Sequence, residues 1–165
     1  MEKYFRIPKE NRFYEMYVEY KDMATRINDA MVKFFKKNEI TTHEYYPFTE
    51  CLHICPTEQD EEKFGKYFKK DTYGKFKKTS PLGKAWVQNC KELGLKYISR
   101  PSLAFEFGIY GRSRQRLCMI DDALYGSIET DYDFKSPEEL QEIKASEFFK
   151  VIEDYEESLK AGEKK

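Results

Sequence analysis

From Asn11 to Lys37 apolar side chains recur at spacings of three and four: Phe13, Met16, Tyr17, Tyr20, Met23, Ala24, Ile27, Ala30, Met31, Phe34 and Phe35. A strand would bury every second residue, so this pattern predicts one long amphipathic helix. Asn11 is suited to cap its start, and Lys36 and Lys37 complement the negative end of the helix dipole. A stripe this long also offers a seam for homo-oligomers. Its flanking positions lack the complementary charges of a coiled coil, so the chain's own sheet is the expected partner.

Beyond this helix the period changes. In residues 43–55, HEYYPFTECLHIC, a two-residue alternation puts Leu52 and Ile54 on one side and Cys51, His53 and Cys55 on the other. Pro47 confines that strand to an edge or to a start after it. Thr57 and Asp60 form a capping box with a shorter acid, opening a helix with acids in its first turn and lysines in its last, through Lys70. Ser80-Pro81 reads as the cap and first residue of another helix, which Gly94 ends. Short β-like runs follow at 96–99, 103–109, 114–120 and 125–130, with Gly108 and Gly111 framing the expected hairpin turn. Ser136, Pro137 and Glu139 look like another capping box, and a last helix with Phe148, Ile152, Tyr155 and Leu159 restarts near Ser146. The fold class is α+β: the long N-terminal helix and two to three further helices on a three- to four-stranded antiparallel sheet. Residues 1–165 read as a single domain with a frayed tail from about 160.

Charge is the second constraint. The net charge is −1. Residues 1–62 carry 9 basic and 13 acidic groups, residues 63–116 carry 14 and 3, and residues 117–165 carry 6 and 14. A strongly cationic middle is thus flanked by acidic ends. No apolar run approaches the roughly 20 residues of a membrane helix, and the N-terminus has no apolar signal core. Four cysteines without such a signal point to reduced thiols in a cytoplasmic protein.

The cationic middle holds the sites. Between Lys63 and Lys84 eight lysines alternate with five rings. Clustered cations bind phosphate backbones, and exposed rings stack on unpaired bases. Phe64, Tyr67 and Phe68 suit a core-facing helix edge. The binding candidates are therefore Lys69, Lys70, Tyr73, Lys75, Phe76, Lys77 and Lys78, with Tyr73 and Phe76 as exposed rings. Arg112, Arg114 and Arg116 add a basic stripe, since alternate strand residues share a face.

Catalytic templates are weaker. Cys51-x-His53-x-Cys55 has metal-ligand chemistry, but on an extended strand its ends lie about 13 Å apart, against zinc bonds near 2.3 Å. Asp121, Asp122, Asp133 and Lys135 resemble the D…(D/E)-x-K pattern of restriction-endonuclease-like nucleases, which implies Mg²⁺ held by carboxylates and a lysine positioning water. Here the D-x-K triplet sits beside an expected helix cap and not within a strand. There is no phosphate-binding loop, and the two histidines lie in no recognisable motif. No catalytic residue, metal or cofactor is assigned.

The sequence thus points to a non-catalytic binding module that docks nucleic acid or a nucleoprotein complex through its basic-aromatic centre. The alternative is a protein–protein module, such as a small inhibitor or accessory factor of mobile-element type, with a protein target. A Mg²⁺-dependent nuclease stands third.

Overall fold

The computed structural model describes residues 1–163. The fold is α+β, with a four-stranded antiparallel sheet, a two-stranded one and several helices besides the long N-terminal one. The chain divides into two compact units, 1–18 with 100–165 and 19–99, the boundary falling inside the first helix. No helix among the described residues is long and apolar enough to cross a membrane.

The first unit is built on a sheet of order β4-β5-β1-β6, from β1 (Glu2–Ile7), β4 (Ser113–Ile120), β5 (Ala123–Thr130) and β6 (Gln141–Ile143). Phe5 and Ile7 of β1 pair with Gly126 and Leu124 of β5, so their alternate side chains share one buried face. Gly126 lets Leu117 and Leu103 pack close, since a Cβ there would lie 3.0 and 3.1 Å from their side chains. The opposite face carries Tyr4, against which Phe148 of α5 (Ala145–Glu163) packs at 4.9 Å between ring centroids.

The second unit centres on the C-terminal half of α1 (Arg12–Lys37), where Ile27, Ala30, Met31, Phe34 and Phe35 share a core with Leu52, Ile54, Phe76 and Trp86. Asn11 caps α1 as expected, its Oδ1 accepting the Phe13 N–H at 2.8 Å. The Ser80 cap and Pro81 start of α3 (Pro81–Glu92) also hold, and Gly94 follows it with φ +66°. β2 (Tyr45–Tyr46) stops before Pro47 and pairs with β3 (His53–Ile54).

Several expectations are corrected. Residues 2–7, which carry no clear strand signal in the sequence, form an inner strand. The helix opened by Thr57, α2 (Glu58–Phe64), ends at Phe64 and gives way to a 3-10 turn over Gly65–Tyr67, because Gly65 is a poor helix former and Phe68 is drawn into pairing with Phe76. Leu103–Glu106 is a helical turn (α4) and not a strand, capped by Ser102, whose Oγ accepts the Phe105 N–H. Residues 96–99 have no regular structure. The hairpin turns at Asp121-Asp122, where Asp121 takes φ +53°, a left-handed conformation that aspartate tolerates. Ser136-Pro137 opens no helix; a turn closed by the Leu140 N–H on the Pro137 carbonyl leads into β6, and the Ser136 hydroxyl donates to Glu142 instead. α5 is helical to Glu163, through the stretch expected to fray, and the rest of that expectation falls on residues 164–165, outside the described residues.

The capping box of α2 does more than start a helix. Asp60, only 1% exposed, accepts the Thr57 N–H at 3.1 Å and, across a gap of 19 residues, the Thr41 N–H at 2.7 Å. Burial acts to raise its carboxyl, but these hydrogen bonds and those of the Thr41 and Thr57 hydroxyls prevail and hold it below the usual carboxylate range. A carboxyl depressed in the folded state adds stability that is complete above the unfolded value and is lost as pH falls through the folded one. We therefore expect Asp60→Asn to cost about 1–3 kcal/mol at pH 7. Below about pH 4 that difference should shrink, as urea unfolding of both proteins at pH 7 and pH 3 will show.

Candidate functional site

The small sheet of the second unit is wider than its two strands. Single-residue bridges join His53 to Lys75 and Phe68 to Phe76, while the Ile54 N–H donates to the Gly74 carbonyl and the Phe76 N–H to the Leu52 carbonyl. The lysine-rich stretch 74–77 is therefore extended and runs beside β3. Gly74 permits this approach, because a Cβ there would lie 1.9 Å from the Ile54 carbonyl oxygen.

Alternation then sorts the side chains. Leu52, Ile54 and Phe76 point into the core, each at most 1% exposed. Tyr46, His53 and Lys75 are cross-strand neighbours on the opposite face. Phe76 is thus not an exposed ring but a core residue, packed with Phe64 and Phe68, and the pleat puts its neighbours Lys75 and Lys77 on the outer side.

On the outer face the aromatic rings form a group. Tyr46 and His53 lie 4.4 Å apart between centroids, Phe48 is nearly parallel to Tyr46 at 6.2 Å, and Tyr97 meets Phe48 edge-on at 5.3 Å. Tyr46 and Tyr97 are 44% and 42% exposed. Their backbone is fixed from beneath. The Nε1–H of fully buried Trp86 donates to the Phe48 carbonyl at 2.8 Å, and the Tyr97 N–H donates to Oγ1 of buried Thr49 at 3.1 Å. The Cys55 thiol donates to the Tyr46 hydroxyl at 3.9 Å, and this contact pushes the phenol above its usual range.

Lysines surround the rings. A cleft of about 290 Å³ beside Phe48 and Tyr97 is lined by Lys75 and Lys96, and a groove of about 860 Å³ by Lys78, Lys84, Lys91 and Lys96. Thr49, Glu50 and Lys96 line both, so the two lie side by side. Lys84, Gln88 and Lys91 reach the groove because positions i, i+4 and i+7 share a helix face. Glu50 is the one acid in either lining, and among the described residues none of the five lysines is in an ion pair. Cys90 belongs to the groove wall but is 2% exposed, and burial pushes its thiol up to about 11.

The remaining expected residues fall elsewhere. Lys69 is half-buried, its N–H donating to the Lys75 carbonyl, and Lys70 and Lys77 are exposed. Tyr73 is 69% exposed, with its hydroxyl donating to Glu61. Arg112, Arg114 and Arg116 belong to the first unit. There Arg112 and Arg114 line a cleft with Glu129 and Asp131, and Arg116 lies over the Phe149 ring at 5.8 Å. Acids therefore balance part of that stripe. Asp121 and Asp122 form the hairpin loop, Asp122 faces Lys9 at 3.6 Å, and Asp133 faces Lys3 at 3.7 Å. Among the described residues no group of three or more His, Cys, Asp or Glu side chains is arranged to hold a metal ion.

Comparison with protein-family models, curated proteins and solved structures finds no match for this chain. Its own geometry is therefore the guide. Sequence reasoning missed Tyr46, Phe48, His53 and Tyr97 as a ring group, and Lys84, Lys91 and Lys96 as its border. The spacing of Lys84 and Lys91 on a capped helix was a readable signal; the meeting of rings from three separate segments was not.

Among the described residues the Thr49 hydroxyl is the one hydrogen-bond acceptor of the Tyr97 amide. Replacing it with an isosteric methyl, Thr49→Val, should cost about 1 kcal/mol. Hydrogen exchange of the Tyr97 amide should accelerate toward that of an open loop, while the amides of α3 keep their protection.

Proposed function

We propose that this protein is a non-catalytic binding module that docks a polyanion, nucleic acid or a nucleoprotein complex, on the lysine-bordered face of residues 46–97. One observation carries the reading: five unpaired lysines and one acid line two adjoining clefts beside a group of partly exposed rings. Lysines without acidic partners keep a condensed positive field, and a phosphate chain that enters it releases its counterions. Cytoplasmic residence belongs to the same reading, supported by cysteines such as Cys51 and Cys90 that serve as buried apolar side chains.

The geometry favours these residues over those first expected. Lys75 and Lys78 remain in the reading, joined by Lys84, Lys91 and Lys96, while Phe76 leaves it. The arginines of β4 are not needed.

Binding of a labelled oligonucleotide, titrated across salt concentrations, tests the proposal. Five phosphate contacts give a slope of log affinity against log salt of about −3.5 to −4.5. The double variant Lys84→Gln, Lys91→Gln should make that slope shallower by about 1.4 to 1.8. A flat salt dependence, or a slope that the double variant leaves unchanged, would overturn it.

A further inference from the structure

Resting on the polyanion reading above, we infer that Tyr46 and Tyr97 are stacking platforms for unpaired bases, so that the ligand is single-stranded nucleic acid. In a duplex the bases are stacked on one another, and only their edges and the phosphates reach a protein. A duplex would use the lysines of this face and leave its rings idle. A single strand uses both, because every base has a face to stack and the backbone follows the charge.

Three features of the rings fit that task. Tyr46 and Tyr97 are each more than two-fifths exposed, so a base can reach them. They are linked through Phe48, which lies 6.2 Å from Tyr46 and 5.3 Å from Tyr97, so they flank one short path along the surface. Buried Trp86 and Thr49 hold the backbone at Phe48 and Tyr97, which lowers the cost of ordering this face when a ligand arrives. The Lys75–Lys96 cleft, which contains Phe48 and Tyr97, supplies cations at the rings themselves. A protein partner fits less well, because the cores of protein interfaces are depleted in lysine, whereas here Lys75 and Lys96 line the same cleft as Phe48 and Tyr97.

The experiment measures fluorescence anisotropy of the whole chain with a labelled strand of about 12 nucleotides, alone and annealed to its complement, at one fixed salt concentration. We expect the single strand to bind at least about 10-fold tighter than the duplex. Tyr97→Ala should weaken single-strand binding by about 5- to 150-fold and leave duplex binding unchanged. The Thr49 anchor bonds the backbone of residue 97, so that variant keeps its loop, and Tyr97→Phe should restore the affinity. Tyr46→Ala should act in the same direction. Equal affinity for strand and duplex, with the tyrosine variants binding like the parent, would overturn the stacking role. If Lys84→Gln with Lys91→Gln still weakened both ligands, the polyanion reading alone would survive. Tighter binding to polyglutamate than to either oligonucleotide would overturn the inference in favour of an acidic protein partner, and no binding to any of the three would overturn both readings.

Discussion

Much of the second unit depends on one hydrogen bond from a buried indole. Trp86 has no exposed surface, so its N–H must find an acceptor inside the protein, and the acceptor is the Phe48 carbonyl. The bond ties α3, whose outer face carries Lys84 and Lys91, to the loop that carries Phe48 and Thr49. Thr49 in turn accepts from Tyr97. Core packing and surface display are therefore set by the same contact. The Trp86 ring lies against Phe34 of α1 at 5.3 Å, so the long helix feels it too.

The second constraint is the pleat. Once Phe76 is taken into the core beside Phe68, at 4.6 Å, its neighbours have no choice of side. Lys75 and Lys77 face outward because Phe76 faces inward. At residues 74–77 the lysine-aromatic alternation of the sequence is thus an extended segment read from its edge, with Phe76 belonging to stability and the lysines to the surface. Tyr73 is the exposed ring of that run, and the rings of the outer group come from other segments.

Local chemistry was the legible part. Asn11, Thr57 with Asp60, Ser80-Pro81 and Gly94 announced helix ends in their own neighbourhoods, and the structure has each of them in that role. β4 and β5 also lay where alternation put them. Misreadings arose where local and distant forces compete. Ser136-Pro137 has the residues of a helix start, but the following segment pairs with β1 as β6. Residues 103–106 have strand-like composition, yet Ser102 caps them and Gln115 holds the Leu103 amide. β1 is brief, and its alternation of Phe5 and Ile7 with Tyr4 and Arg6 gains meaning only between two partners. The ring group was out of reach for the same reason, because Tyr46, Phe48, His53 and Tyr97 are gathered by contacts that no short window contains.

Cys90 gives the groove a chemical character that its charge alone would not suggest. A thiol among lysines is ordinarily drawn toward the thiolate, the form that alkylating agents and peroxides attack. Here burial prevails and keeps the sulfur protonated well above neutral pH. The wall of the groove is cationic without being nucleophilic. Oxidative stress that would disable a surface thiol should pass over this one, so the lysine-lined groove wall itself carries no redox-sensitive group at Cys90.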